Sequence, residues 1–260
     1  TAKNMMRLLP TLLTMLACCA GLTAVLHATN GNYEGAVFFL LAAAVLDMLD
    51  GRAARRLGVD SQFGVELDSL ADVINFGVAP GLILYHWLFF NLEGQFGWAV
   101  VVVMGICAAL RLARFNAMKI VETEEAACET PDTQLKQAGP ADCFTGLAAP
   151  SAAVLALLPM VISFSIWPEL TSQPWIAPVV AGWVFIIGLL MISNIPTFSF
   201  KGTKSARKAR IHLAIATLVL LAFALKPWWT LALMSIIYML SIPLAYWQQR
   251  HLENEPTQKG

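Results

Sequence analysis

Four aspartates are the residues here whose type and spacing could do chemistry. Asp47 and Asp50 stand three apart at the end of one apolar run, and Asp68 and Asp72 stand four apart at the start of the next. Residues three or four apart share one face of a helix. The segment between the pairs is short and polar, which makes the two helices antiparallel neighbours, so all four carboxylates can converge on one cavity. An ionised carboxylate near hydrocarbon costs at least ~2.5 kcal/mol on insertion scales. Four together also repel, so either some stay protonated or divalent cations neutralise them. All-oxygen ligands with no histidine or cysteine alongside favour Mg²⁺ or Mn²⁺, and two such ions balance four negative charges.

The neighbouring residues fit the same chemistry. Gly51, Ala54 and Gly64 leave room for a ligand to approach the backbone. Arg55 adds a fixed cation suited to phosphate. Carboxylates, metals, glycines and arginine at one place indicate phosphoryl transfer, in which metals polarise phosphorus and stabilise the leaving oxygen. Helix-end salt bridges to Arg52, Arg55 and Arg56 could explain one or two of the acids, but not four on two facing surfaces.

The elements that must hold these acids are membrane helices. The chain has 260 residues, of which 58% are hydrophobic and 13% charged, with formal net charge zero, and its mean hydropathy is +0.65. Soluble domains carry about 25% charged residues, so lipid is a large part of the solvent. Nothing in the charge balance suggests nucleic acid. Five cysteines without a CxxC pair are expected to be reduced thiols or small buried hydrophobes.

About 20 apolar residues span a bilayer as helix. Eight stretches qualify: Leu8–His27, Ala36–Ala54, Val65–Phe90, Gly97–Lys119, Phe144–Ile166, Trp175–Ser193, Ile211–Leu225 and Trp229–Gln248. The expected fold is an all-α integral membrane bundle of about eight transmembrane helices, a six-helix catalytic core plus two C-terminal helices. A single domain occupies residues 1–249 and a polar tail residues 250–260. The first run, behind Lys3 and Arg7, reads as a retained helix rather than a signal peptide. Eight spans put nearly every lysine and arginine on one side, including the 201–210 run, and leave Lys226 on the other with Glu34, Glu93 and Glu169. That bias places both termini in the cytoplasm, and the composition suits a bacterial inner membrane. Trp167, Trp175, Trp228 and Trp229 mark the opposite interface. Residues 121–142 are expected to form a solvated loop.

Residues 47–72, DMLDGRAARRLGVDSQFGVELDSLAD, resemble the signature of the CDP-alcohol phosphatidyltransferase family, D-x-x-D-G-x-x-A-R-x8-G-x-x-x-D-x-x-x-D, at every fixed position. The resemblance implies a bundle of at least six helices, usually a homodimer, with two bound divalent cations. It assigns Asp47, Asp50, Asp68 and Asp72 as metal ligands and Asp72 also as general base. It places Gly51, Ala54 and Gly64 along the CDP moiety of a CDP-diacylglycerol substrate. LPTLLT (Leu9–Thr14) is similar to the family's P-N-x-x-T pattern, with Thr11 replacing asparagine and Thr14 retained.

Other stretches resemble the family's serine-using members: DVINFGVAP (Asp72–Pro80), with Asn75 where serine is usual, LRLARFN (Leu110–Asn116), FTGLAAP (Phe144–Pro150), without the first proline of the usual segment, and LMISNIPTFSFK (Leu190–Lys201). L-serine is therefore the expected acceptor. Serine needs a cation for its carboxylate and an acceptor for its ammonium. Arg111, Arg114 and Asn116 near the end of the fourth span, or Lys201, could supply them. Glycerol 3-phosphate, inositol phosphate and choline remain alternative acceptors. An ion-binding transporter would instead show broken helices meeting at mid-bilayer and repeated halves; the acids here sit near one surface and no repeat is visible.

Overall fold

The computed structural model describes residues 2–58, 62–90, 96–128, 144–145, 147–193, 196–197 and 217–253, and side chains within 8–58, 62–90, 97–118, 147–193 and 217–241. Lys201, the basic 201–210 run, residues 129–143 and the first part of the expected seventh span lie outside the described residues.

The architecture is all-helical. Helix α1 (Ala2–Thr29) and α2 (Tyr33–Leu57) form an antiparallel hairpin. Asn32 caps α2, its side-chain oxygen accepting from the Gly35 N–H at 2.9 Å. Gly31 turns the chain with φ 74°. At the other end, Gly58 stops α2 in the left-handed conformation with its N–H on the Ala54 carbonyl, a conformation glycine adopts without steric cost. Helix α3 (Gln62–Phe89) follows, then α4 (Phe96–Cys128), α5 (Ala149–Ala156), α6 (Leu158–Ser165), α7 (Ile176–Ile192), α8 (217–225) and α9 (Pro227–Glu253). A two-residue antiparallel bridge joins Phe144–Thr145 to Pro196–Thr197.

By length and hydropathy, Leu8–Thr29, Gln62–Phe89 and Gly97–Met118 can each cross a bilayer, and Ile176–Ile192 and Pro227–Ser241 are shorter apolar helices. Leu22, Leu26, Phe185, Ile186, Leu233 and Leu240 are among many large apolar side chains left exposed, as lipid-facing helices require. The expected solvated loop after the fourth span begins later than the sequence suggests, because α4 stays helical to Cys128.

The expected fifth span is divided at Leu157 into α5 and α6. Pro159 has no N–H for the Leu155 carbonyl one turn earlier. The indole of Trp183 on α7 donates to that carbonyl at 2.8 Å.

Helix α3 has a related irregularity. Residues Val73–Val78 form a π segment, with the Ala79 N–H reaching back to the Ile74 carbonyl. The wider turn absorbs Pro80, which cannot donate into a regular helix. Gly77 within it and Gly81 beyond it let α3 meet α4 almost backbone to backbone. A Cβ at Gly77 would stand 2.7 Å from the Ala108 Cβ, and one at Gly81 would stand 2.9 Å from the Val101 Cα. Small residues spaced by four allow such approach in lipid. The pairs 81 with 101 and 77 with 108 set an antiparallel register, which brings the start of α3 to the end of α4.

Replacing Trp183 with phenylalanine should remove the hydrogen bond to the Leu155 carbonyl at a cost of about 0.5–1.5 kcal/mol. The check is the thermal unfolding midpoint in detergent, expected to fall relative to the parent chain.

Candidate functional site

The aspartate pairs come together where α2 ends and α3 begins. One carboxylate oxygen each from Asp47, Asp50 and Asp68 lies within 4.8 Å of the others. Asp50 is 3% exposed, while Arg52, Arg55 and Arg56 on the following turns are exposed. The acids thus turn into the bundle and the arginines away from it.

Asp72 is one helical turn beyond Asp68, and its carboxyl lies within hydrogen-bonding reach of Asp47. Two carboxylates this close repel unless a proton or a cation stands between them. All four predicted acids therefore meet, three in one tight cluster and Asp72 at its edge.

The fit to a divalent cation can be tested on the unpaired atoms. Asp50 Oδ2 and Asp72 Oδ1 are buried with no hydrogen-bond partner among the described residues. Unpaired buried oxygens are costly, and an all-oxygen donor set suits a hard divalent ion. The residues fit such an ion.

Thr14 on α1 is buried and faces Asp50. Its hydroxyl also sits 3.0 Å from the Pro10 carbonyl, and its single proton can serve one of these acceptors at a time. Gly51 opens onto free space, since a Cβ there would meet nothing within 4 Å. Ala54 and Gly64 are half-buried on α2 and α3, and Arg55 is exposed on α2.

The register of α3 and α4 decides the fate of the LRLARFN residues. Arg111 comes within electrostatic range of Asp72, and of Tyr238 on α9. Its Nε is buried without a partner among the described residues. Arg114 turns elsewhere and donates through Nη1 to the Ile192 carbonyl at 3.1 Å, capping the end of α7. Asn116 donates to the Ser69 hydroxyl at 3.2 Å, fastening α4 next to Asp68. Of the residues expected to meet the acceptor, the structure thus brings Arg111 to the aspartates.

Sequence reasoning missed Ser69, because a serine in a membrane helix carries no spacing signal. A cavity of about 600 Å³ lies at the opposite end of the bundle, lined by residues including Tyr33, Trp87, Ser163 and Thr171, away from the acids.

Comparison with known proteins agrees with this geometry. Residues 7–167 match the family described as CDP-alcohol phosphatidyltransferase. A Mycobacterium bovis protein named CDP-diacylglycerol–serine O-phosphatidyltransferase is 33% identical over 252 residues, covering 96% of this chain and 82% of the relative. Helicobacter pylori (strain J99) has a protein of the same name, 34% identical over 77% of this chain and 76% of its own length. A Methanocaldococcus jannaschii protein, again of that name, is 32% identical over 70% of this chain and 69% of its own length.

Added Mn²⁺ or Mg²⁺ should raise the thermal unfolding midpoint of the purified chain, and a chelator should reverse the rise. Asp50→Asn and Asp68→Asn should each diminish that metal-dependent shift, because each removes a charged ligand from the cluster. An unchanged shift in both variants would place the ion elsewhere.

Proposed function

This chain belongs to the CDP-alcohol phosphatidyltransferase family, and on that premise we propose that it transfers the phosphatidyl group of CDP-diacylglycerol to the hydroxyl of L-serine. The products are phosphatidylserine and CMP. The observation that carries this reading is the meeting of three carboxylates within 4.8 Å, with Asp72 and Arg111 at their edge. The acceptor is supported by the relatives' names and by a guanidinium within electrostatic range of Asp72.

The serine oxygen attacks the phosphorus that bears the diacylglycerol oxygen. A new P–O bond forms as the bond to CMP breaks, and CMP leaves with the bonding electron pair. Asp72 takes the hydroxyl proton. A carboxylate is a weak base toward an alcohol, so this transfer is concerted with attack. Two Mg²⁺ or Mn²⁺ ions held by Asp47, Asp50, Asp68 and Asp72 would neutralise the diphosphate and stabilise the departing oxygen.

The remaining residues bind and orient. Gly51, Ala54 and Gly64 give the cytidine diphosphate room, and Thr14 and Arg55 offer it a hydroxyl and a cation. Arg111 takes the serine carboxylate, for which a guanidinium is a bidentate partner. Arg114 and Asn116 hold α4 in place through Ile192 and Ser69. We place the aspartate end at the cytoplasmic face of a bacterial inner membrane, because Arg52, Arg55 and Arg56 lie there. Homodimer formation follows the family resemblance.

The test is CMP release by purified protein given CDP-diacylglycerol, Mn²⁺ or Mg²⁺, and serine, glycerol 3-phosphate, inositol phosphate or choline in turn. Release is expected with serine. Asp72→Asn should lower turnover about 10²- to 10⁴-fold. Arg111→Ala should raise the serine KM, whereas Arg114→Ala should act mainly on thermal stability. Release with a different acceptor alone would overturn the serine assignment.

A further inference from the structure

The cavity at the far end of the bundle belongs to neither the metal cluster nor the nucleotide residues. Tyr33 opens α2 and Trp87 lies near the end of α3, whereas the aspartates close α2 and open α3. The 14 residues from Tyr33 to Asp47 are about 20 Å of helix. The cavity holds about 600 Å³, the size of a small-ligand site. Its described wall also includes Ser163, Phe164, Pro168 and Thr171.

That wall is held in place by its own contacts. Phe164 meets the Trp228 ring edge to face, with centroids 4.9 Å apart. Ser163 is 6% exposed, and its hydroxyl donates to the Met160 carbonyl at 2.7 Å. The Tyr33 hydroxyl donates to the His86 carbonyl at 2.9 Å. A hydroxyl has one proton to give and keeps lone pairs to accept with. Both protons are committed to backbone carbonyls, so these two oxygens are left as acceptors. An occupant must therefore bring the donors.

Charge and rings narrow the donor further. No lysine or arginine is among the described lining residues, so nothing there would neutralise a phosphate or a carboxylate. Glu34 and Glu169, each next in sequence to a lining residue, are exposed at this end. Tyr33, Trp87 and Phe164 bring three aromatic rings to the wall, and the face of such a ring attracts a cation. An acyl chain would suit the rings but leave the hydroxyl oxygens against hydrocarbon. A protonated amine satisfies the oxygens and the rings together.

We propose that this cavity is a second ligand site, one that takes an organic ammonium ion. Its N–H groups donate to Ser163 Oγ and Tyr33 Oη, and its charge is held by the rings of Trp87 and Phe164. A free alkylamine and the ammonium headgroup of a phospholipid share this chemistry. The site takes no part in the transfer reaction and does not depend on which alcohol is the acceptor.

The experiment follows tryptophan fluorescence of the whole chain in detergent, titrated with n-butylammonium, tetramethylammonium or butyrate. The parent should respond saturably to n-butylammonium, at least about tenfold more weakly to tetramethylammonium, which has no N–H, and not to butyrate. Ser163→Ala should raise the half-saturating n-butylammonium concentration about tenfold, the loss of one charge-assisted hydrogen bond. Trp87→Phe should remove most of the signal. CMP release should be unchanged in both variants. No saturable response in the parent, equal responses to n-butylammonium and tetramethylammonium, or an unaltered titration in folded Ser163→Ala would each overturn the proposal. The comparison of probes on the parent needs no variant to fold. The same titration in phosphatidylethanolamine and phosphatidylcholine nanodiscs distinguishes the sources. A higher half-saturating concentration in phosphatidylethanolamine identifies the headgroup as the occupant, and equal values identify a free amine.

Discussion

Mutual repulsion among four carboxylates in a low-dielectric bundle is the constraint on which the rest of this structure depends. Coulomb energies rise as the surrounding dielectric falls, and helices solvated by lipid offer little screening. Asp47, Asp50 and Asp68 are nevertheless held within 4.8 Å, with Asp72 against Asp47. Such an arrangement persists where cations occupy it and where neighbouring dipoles and charges favour the negative state. Thr14 from α1 and Arg111 from α4 are the chain's own contributions. The unpaired oxygens of Asp50 and Asp72 are the part left for a ligand.

Holding this charge in place takes more than the two helices that carry it. Helix α3 is the central element, since it touches α1 at Gly21 and α4 at Gly77 and Gly81. Each contact is close because a side chain is missing. The close approach to α4 fixes a register, and that register delivers Arg111 to Asp72 and Asn116 to Ser69. The π segment, which begins just after Asp72 and contains Gly77, adds a local change of helical phase between the acids and Gly81. The catalytic face and the packing face of α3 are thereby set independently along a single helix. At the far end, Phe38, Phe164 and Trp228 pack ring to ring at 4.9–5.1 Å, and Tyr33 donates to the His86 carbonyl at 2.9 Å. These contacts tie the hairpin to α3, α6 and α9, away from the acids.

Much of this was legible beforehand. The spacing of the four aspartates, the antiparallel helices carrying them and the long apolar runs follow from periodicity and the cost of charge in lipid. Asp47, Asp50 and Asp68 converge as their spacing implied. The fifth span was read as one helix because hydropathy does not register which carbonyl a proline leaves unpaired. The polar residues after Lys119 were read as loop, although α4 runs on to Cys128; local helix propensity outlasted the apolar run. The sequence favoured Arg114 over Arg111 as an acceptor-binding residue, whereas the structure turns Arg111 toward Asp72 and Arg114 to the end of α7.

The sequence by itself determined the chemistry, because carboxylates in lipid are tolerated only for a reason and their spacing already selects helix faces. It also determined the membrane class, because hydropathy is a sum over residues that does not depend on how they pack. What only the tertiary structure decided is which residues complete the site. Which of Arg111 and Arg114 faces the acids, and that Asn116 meets Ser69, is set by the packing of α4 on its neighbours. Those choices depend on interhelical register and on contacts where side chains are absent, and both are properties of helix pairs rather than of any one stretch of chain.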